Sequence, residues 1–179
     1  MDRRLLTLFV ALGAAQPACS LLESDFEGSV TLNFVVDDPD NIYQSIDMFD
    51  PNDNDDFREN RDRIETGTIE SMELTFRNVR FSPENEATYV FGQADIRPAG
   101  DESAPWTEGV SAWETIAVVE NNTFFVDVPA DRQEVITDLV FEADESQPLE
   151  VRIDGAADQG PVLFDIEVRL NLVFTAGVL

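Results

Sequence analysis

Lysine and histidine are missing altogether from the 179 residues, and cysteine occurs once. Without histidine the commonest general base and nitrogen ligand are gone, and without lysine so is amine-based covalent chemistry. A lone cysteine, Cys19, excludes an intrachain disulfide. No apolar run reaches the roughly 20 residues of a membrane-crossing helix; the clearest occupies only residues 5–15. Positive charge is scarce: 11 arginines face 37 aspartates and glutamates, for a net charge of −26. That field repels phosphate backbones and anionic headgroups, which argues against nucleic acid and favours a cationic partner.

What is present is enough for a folded body. Apolar residues make up 43% of the chain, unlike the low-hydrophobicity composition of disordered proteins. A domain of this size buries about 70% of the surface that its unfolded chain exposes. Many carboxylates and no lysine suit a salt-rich habitat, because at 1 M salt the screening length falls to about 3 Å and self-repulsion is relieved. An acidic protein of an ordinary habitat is the other reading.

The first residues read as an address. Arg3 and Arg4 precede the apolar run 5–15, which has the length of a signal-peptide core. Cys19 follows the small residue Ala18, and Ala15-Gln16-Pro17-Ala18-Cys19 resembles the lipobox of bacterial lipoproteins, with Gln16 where an aliphatic residue is usual. The resemblance implies cleavage ahead of Cys19, an acyl chain on its sulfur, and a cell-envelope location. Because Ser20 rather than Asp follows the cysteine, it further implies the outer membrane, with the domain facing the periplasm or the exterior. Ordinary cleavage after Gly13-Ala14-Ala15, leaving Cys19 as a free thiol, is the alternative. The expected organisation is a signal peptide over 1–18, a lipidated cysteine and linker over 19–27, and one domain over 28–179.

Within that domain the dominant signal is alternation with period two, the mark of strands with one buried face. Val30, Leu32, Phe34 and Val36 share one face, and Val162, Phe164, Ile166, Val168, Leu170, Leu172 and Phe174 share another. Further strands are predicted through Met72-Glu73-Leu74-Thr75-Phe76 and over 88–96, 113–119, 123–128 and 149–153. A change of parity at Asn78 predicts a bulge there, and Asn121 predicts a hairpin turn. Short helices are expected from Asp55 or Asp56, with Phe57, Arg61 and Ile64 on one face, and from Asp131, with Val135, Ile136, Leu139 and Val140 buried. About seven strands without βαβ alternation indicate an all-β antiparallel sandwich, immunoglobulin-like or jelly-roll-like.

Two segments offer candidate sites. Asp50, Asn52, Asn54 and Asp56 space oxygen ligands as at the start of a calcium loop, which makes Ca²⁺ the candidate cofactor. The loop then departs from that pattern, with Asp55 at the sixth position and Arg61 at the twelfth, so an acidic loop capping the next helix is the competing reading. Trp106 lies in a stretch rich in proline, glycine and aspartate, either as an exposed aromatic for a ligand or as a plug at the end of the sandwich. Paired carboxylates leave glycosidase-like chemistry open, but no spacing singles out a pair, and no catalytic residue is assigned. The expected function is therefore a lipid-anchored, non-enzymatic envelope protein that binds or supports another envelope component. A calcium-dependent adhesion or ligand-binding module and a carboxylate-based hydrolase are the alternatives.

Overall fold

The computed structural model describes residues 24–53, 55–137 and 148–177. Cys19 and the address segment lie outside them, as do Asn54, Leu139 and Val140. The described residues form eight strands and two short α-helices, in the order β1 (Ser24–Asp38), β2 (Ile42–Phe49), α1 (Asp55–Asn60), β3 (Ile64–Arg77), β4 (Tyr89–Pro98), β5 (Thr107–Ala117), β6 (Thr123–Val126), α2 (Ala130–Thr137), β7 (Leu149–Ala157) and β8 (Val162–Ala176). The unforeseen strand is β2. Its inward residues Tyr43 and Phe49 flank half-buried Ser45 and Asp47, while Ile42, Ile46 and Met48 point outward, so its polarity is partly inverted.

Two antiparallel sheets form the sandwich, with strand orders β1-β8-β3-β6 and β2-β7-β4-β5. First pairs with last throughout: β1 with β8, β2 with β7, β3 with β6, and β4 with β5. A long hairpin doubled about β4 and β5 and then rolled into two layers gives this order, which is that of a jelly roll and not of an immunoglobulin domain. Pairing begins at Ser24, opposite Ala176, so strand structure starts ahead of residue 28.

The core lies between the layers. Leu32, Phe34 and Val36 of β1 meet Val162, Phe164, Ile166, Val168, Leu172 and Phe174 of β8 on the inner face. In β3 a register shift between Ile69 and Ser71 adds one residue, which lets odd-numbered Ile69 and even-numbered Met72, Leu74 and Phe76 all point inward. Phe76 meets Phe164 edge to face at 5.4 Å between ring centres, and Tyr43 reaches Phe164 from the other sheet at 6.1 Å. Each such fully buried side chain stabilises the fold by about 1.5–3 kcal/mol relative to exposure.

Three local expectations fail for physical reasons. Asn78 is not a bulge: β3 ends at Arg77, Asn78 takes a left-handed φ of 51°, and the chain departs with Phe81 88% exposed. Asn121 does adopt φ 60°, but the strands on either side belong to different sheets, so the turn passes from one layer to the other. Its N–H donates to the Phe76 carbonyl at 2.9 Å, tying that crossing to the end of β3. Ile64 opens β3 instead of completing a helix face, because α1 stops at Asn60 and a single 3₁₀ turn, Arg61–Arg63, intervenes.

Candidate functional site

On the outer face of the β2-β7-β4-β5 sheet a carboxylate is buried where water would be expected. Ala94 and Ile96 of β4 point into the core, so Asp95 between them points outward, yet it is 0% exposed. Burying an unmatched carboxylate is prohibitive, so its partners decide whether the site exists. Four donors surround it. Oδ1 accepts from Gln93 Nε2 at 3.0 Å and from the main-chain N–H of Gly109 at 2.8 Å, while Oδ2 accepts from Arg152 Nε at 3.1 Å and from a second nitrogen of the same guanidinium. Gly109 delivers its N–H from a φ of +61°, which glycine adopts without the strain a side chain brings.

The register builds the rest. Arg152 stands opposite Asp95 across β4 and β7, and Glu150 stands opposite Arg97. Arg97 Nε donates to Glu150 at 2.7 Å, and an Nη1 bond of 3.3 Å to the Glu102 carbonyl ties in the loop 98–107. Trp106, on that loop, lies with its ring centre 4.4 Å from both the Arg97 and the Arg152 guanidinium. Such cation–π contacts contribute about 0.5–2 kcal/mol each. The tryptophan is half-buried and roofs this charged array, outside the inter-sheet core.

Beside the array lies a hollow of about 460 Å³ lined by Phe91, Gln93, Trp113, Glu114, Thr115 and Asp154, with Gly92 and Gly155 in its floor. The paired glycines have a packing reason. A Cβ on Gly155 would stand 2.2 Å from the Phe91 carbonyl oxygen, and one on either glycine would crowd the Tyr43 hydroxyl. That hydroxyl donates to the Phe91 carbonyl at 3.2 Å, and burial holds the phenol protonated well above its ordinary range. Asp154 is the unsettled member. Its Oδ2 is buried and accepts no hydrogen bond from the described residues, with Arg152 Nε 3.9 Å away. Desolvation, and then the neighbouring Asp95 charge, hold its carboxyl above its ordinary value, with Arg152 opposing in part.

Of the described residues singled out from sequence, Trp106 lies at this array and Asp50 and Asn52 lie elsewhere. Asp50 Oδ1 accepts from the main-chain N–H and the Nδ2 of Asn52, each at 2.9 Å, and Asp55 pairs with Arg58. These bonds turn the acidic segment back on itself. Among the described residues no three histidine, cysteine, aspartate or glutamate side chains converge to hold a metal ion; Asn54 and the Asp56 side chain lie outside the described residues. Asp95, Arg152 and Asp154 were missed because their pairing spans 57 residues or more of sequence separation and depends on register. The one legible signal was three charged residues at outward positions, in strands whose intervening residues are apolar.

No family model matches the chain, and no curated protein matches it significantly. Among solved structures, a chain of Desmodium yellow mottle tymovirus is similar over 100% of this chain and 95% of its own, with 8% identity and a TM-score of 0.38. A chain of turnip yellow mosaic virus is similar over 99% and 92%, with 14% identity and a TM-score of 0.40. The jelly-roll assignment rests on the strand order itself.

Proposed function

We propose that this protein is a non-enzymatic binding module, held at a cell envelope by lipid on Cys19, that presents the outer face of the β2-β7-β4-β5 sheet to another envelope component. The observation that supports a binding role is the burial of Asp95 on the solvent side of a sheet. Core packing does not require it, since the hydrophobic layer lies on the opposite face. What the Asp95–Arg152–Trp106–Arg97–Glu150 array does is fix side chains of a surface in one arrangement, the condition for a specific interface. Support for the anchor is the sequence around Cys19. Intact mass of the protein extracted from native membranes tests it: acyl mass on a chain that begins at Cys19 is expected, and an unmodified thiol there refutes the anchor.

A second reading, carboxylate-based hydrolysis, draws on the Asp95 and Asp154 neighbourhood. It ranks below binding because both oxygens of Asp95 are taken up by donors. One carboxyl then remains open to a substrate, where paired-carboxylate hydrolysis needs two. The calcium reading keeps only its sequence spacing in support, and a Ca²⁺ titration without heat or thermal shift would end it.

A further inference from the structure

We propose that the hollow above Gly92 and Gly155 receives an arginine or lysine side chain from an apolar segment of a partner protein, with Asp154 as the ion that pairs it. This inference rests on the binding role proposed above and names the partner's chemistry. Three observations carry it. First, both arginines of the neighbourhood are already committed, Arg97 to Glu150 and Arg152 to Asp95. Glu108 and Glu114 therefore remain as negative charge beside Asp154, which Arg152 offsets only from 3.9 Å. Second, Asp154 lines the hollow with a side chain that is 35% exposed, and its inner oxygen Oδ2 accepts no hydrogen bond from the described residues, so the carboxylate keeps acceptor capacity for an arriving donor. Third, the side toward the edge strand β2 is largely apolar, broken by exposed Gln44 opposite Asp154. Ile42, Ala156 and Phe91 align across three strands, with Ile42 66% and Phe91 53% exposed, and Ile46 and Met48 extend the apolar surface along β2.

The combination selects among cations. A bare metal ion would leave the apolar rim wet, and three carboxylates do not converge here. A free amine meets the charge of Asp154 but cannot cover a rim that continues to the edge strand. A side chain carried on an apolar segment satisfies both: its cation meets Asp154 beside Phe91, and its flanks cover Ile42 and Ile46. The net charge of −26 steers such a partner toward the surface, while the hollow supplies the specific contact.

The test uses the intact protein and a capped five-residue peptide with arginine between leucines, against the same peptide with citrulline, the neutral isostere, at the centre. Titrations are run at about 1 M NaCl, where a screening length of about 3 Å suppresses diffuse attraction but spares a desolvated pair. The arginine peptide is expected to bind at least ten-fold tighter than the citrulline peptide. Asp154→Asn is expected to abolish that preference, and Glu84→Gln, on an exposed turn away from the hollow, to leave it intact. Equal affinity for the two peptides, or an arginine preference that survives Asp154→Asn, overturns the proposal. The mass measurement on Cys19 is independent of both outcomes, so failure here and failure of the anchor are told apart.

Discussion

Removing the Asp95 carboxylate exposes how the outer-face array is held. In Asp95→Ala, Arg152 loses its buried partner, and the Gly109 N–H and Gln93 amide lose their acceptor. Breaking a buried pair by deleting one partner costs about 3–5 kcal/mol. Here the lower end applies, because Asp154 Oδ2 stands 3.9 Å from Arg152 Nε and a small rotation completes a replacement pair. The expected loss is therefore about 3 kcal/mol, or about 6–12 °C in Tm at 2–4 °C per kcal/mol for a chain of this size. The neighbouring substitution should change sign with background. In the native sequence Asp154→Asn removes a carboxylate that desolvation and then the Asp95 charge disfavour, so stability rises slightly at neutral pH. With alanine at position 95 the same change deletes the replacement partner, and stability falls. The pH dependence follows from the direction of the Asp154 shift. A carboxyl held above its unfolded value destabilises the fold once ionised, so the advantage of Asp154→Asn exists at neutral pH and fades as falling pH protonates the wild-type group. Urea unfolding of the four variants at fixed salt measures all of this. A loss below about 1 kcal/mol for Asp95→Ala, or an Asp154→Asn effect of the same sign in both backgrounds, refutes the reasoning.

Four further expectations concern the scaffold. Gly155→Ala places a methyl 2.2 Å from the Phe91 carbonyl oxygen, so β4 and β7 must part; denaturant unfolding should show a loss of at least about 2 kcal/mol, and a near-neutral result would mean that the strands are not so close. An apolar cavity of about 50 Å³ between the sheets, bordered by Ala94, Ile153 and Val168, should accept Ala94→Val with a gain of about 1 kcal/mol, whereas a comparable loss would show the space to be already filled. Asp158 accepts from the Thr88 hydroxyl and from the Thr88 and Tyr89 N–H groups, which lowers its carboxyl to about 2. Its contribution is present above about pH 4 and is lost as pH falls toward 2, so Asp158→Asn should flatten that part of the acid limb, and carbon NMR should place its midpoint near 2. Melting temperature should rise as NaCl increases to about 1 M if the charge of −26 strains the fold, and a steady fall would contradict the salt-adapted reading.

The amino-acid pattern alone carried the all-β class and most of the strands, because alternation with period two records which face is buried wherever one face is apolar and the other polar. β1 and β8 were legible on that ground. β2 was not, since Ile42, Ile46 and Met48 lie on its outer face and Asp47 on its inner one, where the Asp47 carboxylate accepts the Asn33 N–H of the facing sheet at 2.8 Å. Jelly-roll rather than immunoglobulin order was likewise beyond reach, for a strand's pattern says which face is buried and not which neighbour it pairs with. The outer-face array depended on still more. Asp95, Arg97, Glu150, Arg152 and Asp154 are five charges among 48 in the sequence, and only the antiparallel register of β4 and β7, with Trp106 folded over it, turns them into one structure. Local chemistry determines faces; long-range pairing determines sites, because a hydrogen bond between residues 57 apart exists only after the sheet that joins them has formed.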